Sequence, residues 1–444
     1  MPTFRYYRLC ESDHHGTFFR NNVEIEQLLF PIIAGVGAFV SLFLGYKAFW
    51  RKRLIENVPT SKCEGVCIGL TELYGEALSR RPLRSYIAEQ SVVYYRFTVE
   101  EHWRRRETYT DSKGNRKTRT RSGWRTVRSG EQRPRFQLRD DTGQLRIDPD
   151  KAEIDPDQIF TKTCTPLNPL YYGKGPRGAI ANSTFRRRFR EWAILPQQSI
   201  YVLGTARVRE DIVEPEIAHD PDAKIFLIST KNEDQIIRKY TWQSVLGFIF
   251  AVLLATFFAP IYVASIQEVP FGQAIGETIL WMVAAGASFA FVIGVLYLKT
   301  IYNGLIDLRH RSLRAWSMID IELKRRHDLI PNLANIVEGL VEHERGTLVA
   351  VANQRTMARI GQTPTAEGTN ALAETLQSQS AALGQVFMLA EAYPNLQSDQ
   401  AFHKLTKELT KCENKLALAR TFYNDSVTNL NTRVETFPDM IFAG

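Results

Sequence analysis

"IGETILWMVAAGASFAFVIGVLYLKTIYNGLIDLRHRSLRAWSMIDIELKRRHDLIPNL" occupies residues 275–333 and changes character partway along. Up to residue 298 its only charged side chain is Glu277, near the start. An apolar run of roughly 20 helical residues crosses a hydrocarbon core of ~30 Å. Beyond residue 298 charges crowd in, yet Trp316, Ile319, Leu323, Ile330 and Leu333 keep returning at helical spacing. That period marks the buried stripe of an amphipathic helix. With only Gly304 as a weak interruption, the stretch predicts one helix that leaves a membrane and enters a helical bundle. Continued to about residue 356, it would reach roughly 120 Å at 1.5 Å per residue.

The position that fills the gap between Leu323 and Ile330 is Arg326. It falls on the buried stripe, whereas Lys324 and Arg325 fall on other faces. A buried arginine needs a carboxylate from a neighbouring helix, since an uncompensated interior charge is strongly destabilising. Glu391 and Glu413 are the candidates for this polar layer. Pro331 has no N–H to donate to the carbonyl of His327, so a kink is expected there.

Two further segments read as spans. Residues 28–50 carry no charge before Lys47, and residues 242–265 carry none. The first is not a cleaved signal peptide, because no small-residue cleavage site follows it. Orientation follows the Lys and Arg flanks. Lys47, Arg51, Lys52 and Arg53 close the first span, Arg238 and Lys239 precede the second, and Lys299, Arg309, Arg311 and Arg314 follow the third. The connection at 266–274 has no basic residue. The expected order is therefore an outer segment 1–27, a span 28–50, an inner domain 51–241, a span 242–265, an outer hairpin 266–274, a span 275–298 and an inner bundle 299–444. Four of the five cysteines (Cys63, Cys67, Cys164 and Cys412) then face a reducing compartment, and Cys10 lies outside. A disulfide framework is not implied.

Residues 60–235 read as mostly strand, in short β-branched and aromatic runs such as VVYYRFTVEEHW, PRFQLRD, QLRIDP and SIYVLGTARV. "DDTG" (140–143) reads as a hairpin turn using positive φ. "FRRRFREWAIL" (185–195) reads as the one helical stretch, with Phe185, Phe189 and Trp192 as its stripe. Cys63 and Cys67 would share a strand face, without a second ligand pair for zinc. The basic run at 104–125 reads as a long hairpin or loop. It is open to a merely solvated role, anionic lipid, an acidic protein or nucleic acid. Tethering on both sides to the inner leaflet makes lipid the nearer partner and disfavours nucleic acid. The candidate lipid-binding residues are Arg104, Arg105, Arg106, Lys113, Arg116, Lys117, Arg119 and Arg121.

The order "EGVCIGLTELYGEAL", "SVVYYRFTVEE", "WRTV", "PRFQLRDDTGQLRIDP" and "LPQQSIYVLGTARV" resembles the GIDE domain, the beside-a-membrane domain of a mitochondrial ubiquitin ligase. That ligase ends in a zinc-binding RING, whose Cys/His series this sequence lacks. The resemblance therefore implies the fold and not the ligase activity.

Further helical stripes run through Leu372, Leu376, Leu383, Ala390 and Tyr393, and then from Phe402 through Leu409, Cys412, Leu416, Tyr423 and Val434 to Phe437. Long antiparallel helices are expected. "LRAWSMIDIELKRRHDLIPNLANIVEGLVEHE" (313–344), "LAEAYPNLQSDQAFHKLTKELTKCENKLALARTFYNDSVTNLNT" (389–432) and "FPDMIFA" (437–443) resemble the LemA family. The resemblance implies a bacterial membrane protein with a cytoplasmic helical bundle. This sequence differs by placing two more spans and the GIDE-like domain in front.

The fold class expected is thus a multi-domain membrane protein. It combines three transmembrane helices, a mostly-β (α+β) GIDE-like domain and an all-α antiparallel LemA-type bundle. Net charge is +8, with 44% hydrophobic and 23% charged residues, which fits a folded chain. No phosphate-binding glycine loop or Glu-x-x-His pair is present, so no cofactor, metal or catalytic residue is implied. Three functions remain. A non-enzymatic inner-membrane scaffold would assemble as a homo-oligomer. An adaptor would hold a protein client or anionic lipid on the GIDE-like domain and couple it to a membrane protease or stress-response partner. An enzyme would have only Asp140, Asp141 and His102 to draw on.

Overall fold

The computed structural model describes residues 16–110, 115–209, 214–223, 225–267, 269–340 and 400–442, together with residues 377, 384 and 388. Its helices are α1 (Gly16–Glu56), α2 (Pro169–Gly173), α3 (Glu233–Gln267), α4 (Phe271–Leu340) and α5 (Gln400–Glu435). Two compact units form, Met1–Glu56 with Asp234–Gly304 and Asn57–Glu233 with Leu305–Gly444.

In the first unit, α1, α3 and the first part of α4 are long and apolar enough to cross a membrane. Large apolar side chains point outward, among them Phe30, Phe43, Phe250, Leu280 and Trp281. Small ones point inward: Ala34, Ala38, Ala48, Ala251 and Ala255 are buried. This inside-out distribution suits an apolar solvent, in which helices associate by close backbone packing. The closest approach is Gly45 against Gly247, where a Cβ built on Gly247 would lie 2.6 Å from the Gly45 Cα. Ser41 Oγ donates to the Gly247 carbonyl at 2.9 Å beside this crossing.

The second unit contains β1 (Thr60–Ser61), β2 (Gly69–Leu78), β3 (Leu83–Arg84), β4 (Ser91–Val92) and β5 (Tyr94–Thr110). Then come β6 (Arg116–Gln132), β7 (Phe136–Arg139), β8 (Gln144–Ile147), β9 (Glu153–Asp155) and β10 (Asp157–Cys164). The last four are β11 (Ser183–Ile194), β12 (Ser199–Val208), β13 (Pro215–Ala218) and β14 (Leu227–Ser229). Strand β2 pairs with both β7 and β12, and β7, β8, β13 and β12 pair in succession, so five strands close on themselves. Closure removes open edges. Leu73, Leu138, Ile147, Ile200, Val202 and Ile217 fill the interior.

A second, antiparallel sheet runs β10-β11-β5-β6 over Phe97, Val99, Phe189 and Ala193. Here the expected helix at 185–195 is overturned: residues 185–194 belong to β11. Its inward positions alternate as Arg187, Phe189, Glu191 and Ala193. Two of the four are charged, and Phe185, Phe189 and Trp192 fall by chance at helical spacing.

Arg187 and Glu101 face each other across β11 and β5, and both are fully buried. Arg187 Nε and Nη2 donate to Glu101 Oε2 at 3.0 and 2.9 Å. The remaining guanidinium hydrogens go to the carbonyls of Tyr171, Pro176 and Gly178. The Tyr171 ring lies 3.9 Å from the guanidinium carbon, and the hydroxyls of Tyr171 and Ser183 donate to the other Glu101 oxygen. All five guanidinium donors are thus used. The irregular segment between α2 and β11 is gathered around one side chain. A Cβ on Gly175 would lie 2.3 Å from the Tyr171 carbonyl oxygen, so that tight wrap needs a glycine.

Two smaller expectations also change. In the 140–143 turn no residue has positive φ; instead the Asp140 carboxylate accepts from Thr142 N and Gly143 N and closes the turn itself. Cys63 and Cys67 lie in the turn between β1 and β2, and not on a strand face.

Helix α4 continues unbroken through Pro331 to Leu340, where Asn332 Nδ2 donates to the Asp328 carbonyl. Trp316, Ile319, Leu323, Arg326, Ile330 and Leu333 are buried. The Trp316 and Tyr423 rings meet at a tilt, the Cys412 thiol reaches the Glu322 carbonyl, and Arg325 meets Glu408, so α4 and α5 pack on one another. The stripe ends sooner than expected: α5 stops at Glu435 and Phe437 is exposed. The helix expected around Leu372–Tyr393, the continuation of α4 beyond Leu340 and most of the outer segment 1–27 lie outside the described residues.

Removing one member of a buried ion pair costs ~3–5 kcal/mol, whereas exchanging both for apolar groups is often neutral. Arg187→Met is therefore expected to lower thermal stability of the full chain in detergent sharply. Arg187→Met with Glu101→Leu should recover only part, because three carbonyls of the wrapped segment still lack donors. A double variant as stable as the parent would show that those carbonyls do not depend on Arg187.

Candidate functional site

Strand β11 accompanies β5 only as far as Trp103. Between the pairs Arg187↔Glu101 and Ser183↔Trp103 the β11 strand inserts extra residues. Asn182 and Phe185, at φ 58° and 54°, bracket this bulge. Past it, β5 and β6 continue alone as a two-stranded ribbon from Arg104↔Ser122 to Thr110↔Arg116. Trp103, Trp124 and His102 form the base. The His102 ring lies edge-on to Trp124, its Nδ1 is 2.9 Å from Thr184 Oγ1, and the Arg188 guanidinium covers the Trp124 ring.

Paired residues share a face, and faces alternate along a strand. One face of the ribbon carries Arg104, Arg106 and Arg116 among Thr108, Thr118 and Thr120, with no carboxylate. The other carries Arg105, Arg119, Arg121 and Lys117 around Glu107, which Arg105 and Arg121 approach at 3.8 and 3.5 Å. All these basic side chains are exposed. The structure therefore gathers seven of the eight basic residues marked in the sequence onto one projecting element, and Lys113 lies outside the described residues. A cationic, hydroxyl-rich strand face of this kind suits phosphate-bearing surfaces.

The residues considered for catalysis do not meet. Asp140 and Asp141 sit at the β7–β8 turn of the closed sheet, and His102 lies in the second sheet. Burial raises the Asp140 pKa, but hydrogen bonds from Cys63 N, Thr142 and Gly143 N outweigh it and hold the carboxyl below its ordinary value. Asp141 is engaged by Lys62 at 2.6 Å. Among the described residues no group of three His, Cys, Asp or Glu side chains is placed to hold a metal.

Arg326, with its side chain 3% exposed, lies 2.7 Å from Glu413 on α5, while Glu391 lies outside the described residues. Burial holds the Arg326 pKa below its ordinary value, against the upward pull of the Glu413 carboxylate.

Another buried carboxylate has no counterpart in the sequence reading. Glu72 in β2 is 2% exposed and accepts from Thr60 Oγ1 and Tyr201 Oη, each at 2.8 Å. Burial first, and then the charge of Glu233, push its pKa from 4.5 to about 7, against the pull of those hydrogen bonds and of Arg311. Arg311, on α4 just before its buried stripe, is itself buried, and its Nε and Nη1 find no hydrogen-bond partner among the described residues. The interior of the β domain and the start of the bundle are thus electrostatically joined.

Comparison with known families places two regions. Residues 104–259 match the GIDE family model, described as E3 ubiquitin ligase, and residues 315–444 match the LemA family. The chain therefore carries a GIDE region, which begins at the first residue of the ribbon, and a LemA region that begins on the buried stripe of α4. No curated protein matches the chain.

Two outcomes are expected. The full chain held in zwitterionic nanodiscs should float with added phosphatidylglycerol vesicles at low salt, and Arg104→Gln with Arg106→Gln and Arg116→Gln should weaken this by about tenfold or more, at ~1 kcal/mol per basic residue. Flotation unchanged in the triple variant would remove the ribbon as an anion-binding element. Secondly, between pH 4.5 and about 7 folded Glu72 keeps a proton that the unfolded chain has released. Its contribution is fully present below the unfolded value and is lost as pH rises through the folded one. Thermal unfolding between pH 5 and 8 should show a smaller loss of stability in Glu72→Gln, and equal slopes would count against this titration.

Proposed function

We propose that the chain is a non-enzymatic, multi-pass scaffold of the bacterial inner membrane, with its N-terminus outside and its GIDE and LemA regions in the cytoplasm. The observation that carries this reading is α4. One helix of 70 residues holds an apolar stretch fit to span a bilayer and the buried stripe of the LemA region. Carrying the apolar stretch and the LemA stripe on one helix ties the bundle to a membrane anchor without a loop, which is what a scaffold requires. The outward-facing aromatic and aliphatic side chains of α1, α3 and α4 support insertion. The basic flanks Lys47, Arg51, Arg238 and Lys239 support the orientation. In this reading several copies assemble through bundle faces and spans into a closed homo-oligomer.

The ribbon favours a second reading, an adaptor. Its carboxylate-free face, with Arg104, Arg106 and Arg116, offers a surface to a negatively charged client or lipid, and a membrane protease or stress-response partner would then act on what it holds. Cross-linking in intact cells separates the two, since an adaptor yields one dominant heterologous partner.

Particle mass in lipid nanodiscs tests the scaffold directly. A single high multiple of 50.8 kDa is the expected result. A monomer at working concentration would overturn the assembly.

A further inference from the structure

Strand β6 pairs along its length with β5 and lies at the edge of its sheet. In an antiparallel pair alternate residues turn their N–H and C=O groups to the partner, and the residues between them turn theirs away. Among the described residues no backbone hydrogen bond runs from β6 to any strand but β5. No residue of β6 is buried, so an edge of 17 residues is open to solvent. The other edges offer less. Strand β5 is covered by β11 as far as Trp103, and its free part, residues 105–110, includes Glu107. Strand β10 has 8 residues, with one acid and one base among them.

The β6 edge carries one sign of charge. Between residues 116 and 130 it has five arginines and no carboxylate. Like charges directly opposite one another destabilise a strand pair, so the β6 of a second copy is repelled. Charge of this kind guards an exposed edge against self-pairing, and it leaves the edge open to an extended segment of opposite sign.

The order of side chains narrows that segment further. Faces alternate along a strand. On one face β6 presents Arg119, Arg121, Gly123 and Arg125, and on the other Thr118, Thr120, Ser122 and Trp124. Gly123 interrupts the basic row, and the Trp103 indole of β5 fills its place: a Cβ on Gly123 would lie 3.3 Å from Trp103 Cζ2. A strand alongside would set carboxylates against Arg121 and Arg125 and an apolar side chain against Gly123 and the Trp103 ring. Its intervening residues, on the hydroxyl-bearing face, would be small and polar.

We propose that the free edge of β6 binds an extended acidic segment of another protein as an added strand. Main-chain hydrogen bonds hold the segment, and its alternate side chains, carboxylates beside the arginines and one apolar group on Trp103, select it. This rests on the adaptor reading above and specifies its client.

The test uses the full chain in phosphatidylcholine nanodiscs and a fluorescent peptide that alternates glutamate with threonine around one central phenylalanine. Binding, read by anisotropy, should slow amide hydrogen exchange across residues 116–132. Methylating the backbone nitrogens of one alternate set of peptide residues should abolish binding. Methylating the other set should leave it, because an added strand turns only every second N–H to the edge. Arg119→Gln with Arg125→Gln should weaken binding about fivefold, as the loss of two cross-strand charge pairs implies, and unchanged thermal unfolding checks that the variant folds. A shuffled peptide of equal composition that binds as tightly, equal effects of the two methylations, or binding indifferent to both arginines would overturn strand addition. Protection of residues 116–132 by phosphatidylglycerol vesicles and not by the peptide would assign the ribbon to lipid and overturn it too. Failure of the peptide while intact cells still yield one dominant cross-linked partner removes this edge alone. No heterologous partner in cells removes the adaptor reading, and this inference with it.

Discussion

The β domain is organised around a charge pair that solvent never reaches. Arg187 and Glu101 sit opposite one another on β11 and β5, and every donor of the guanidinium is spoken for. Such a pair adds little net stability by itself, because desolvation offsets most of the attraction. Its consequence is geometric. The carbonyls of Tyr171, Pro176 and Gly178 have to converge on one side chain, which fixes α2 and the irregular segment after it. The bulge on β11 begins next to Arg187, and beyond the bulge β5 and β6 leave the sheet. The ribbon projects because the strand beside it is held back by this pair.

The same interior explains what could be read from the sequence and what could not. Where neighbours of a buried charge are apolar at a regular step, the charge shows up as the missing member of a series, and Arg326 between Leu323 and Ile330 is such a case. Its register with Glu413 required the fold, but its place on the stripe did not. In β11 the inward series is Arg187, Phe189, Glu191 and Ala193, and no hydropathy pattern marks it. Glu191 bonds the backbone of Ile87 and Ala88, and Arg187 reaches Glu101, partners far off in the chain. Local periodicity carries no trace of such contacts, so the three aromatic residues of that segment suggested a helix. Glu72 was hidden for a similar reason: Tyr201 and Arg311, which define its surroundings, come from another strand and from α4.

The three apolar helices were legible from composition alone, since length and absence of charge decide whether a helix can cross a bilayer. Their packing was not. Gly45 and Gly247 are two among 27 glycines, and only the crossing shows that both must lack a Cβ. The basic residues after the first stretch act together as an orientation signal.

The faces and the edge of the ribbon differ in a way that bears on their roles. The ribbon is exposed on both faces, so its charges act over a Debye length of about 8 Å at physiological salt and are screened beyond it. The faces can attract any anionic surface and can discriminate little among them. The β6 edge adds backbone donors and acceptors at a fixed spacing, and there the order of side chains in a ligand counts as well as its charge. A diffuse contact sets where a protein resides, and a directional one sets what it holds. On physical grounds the faces of the ribbon are therefore suited to recruitment, and its edge to selection.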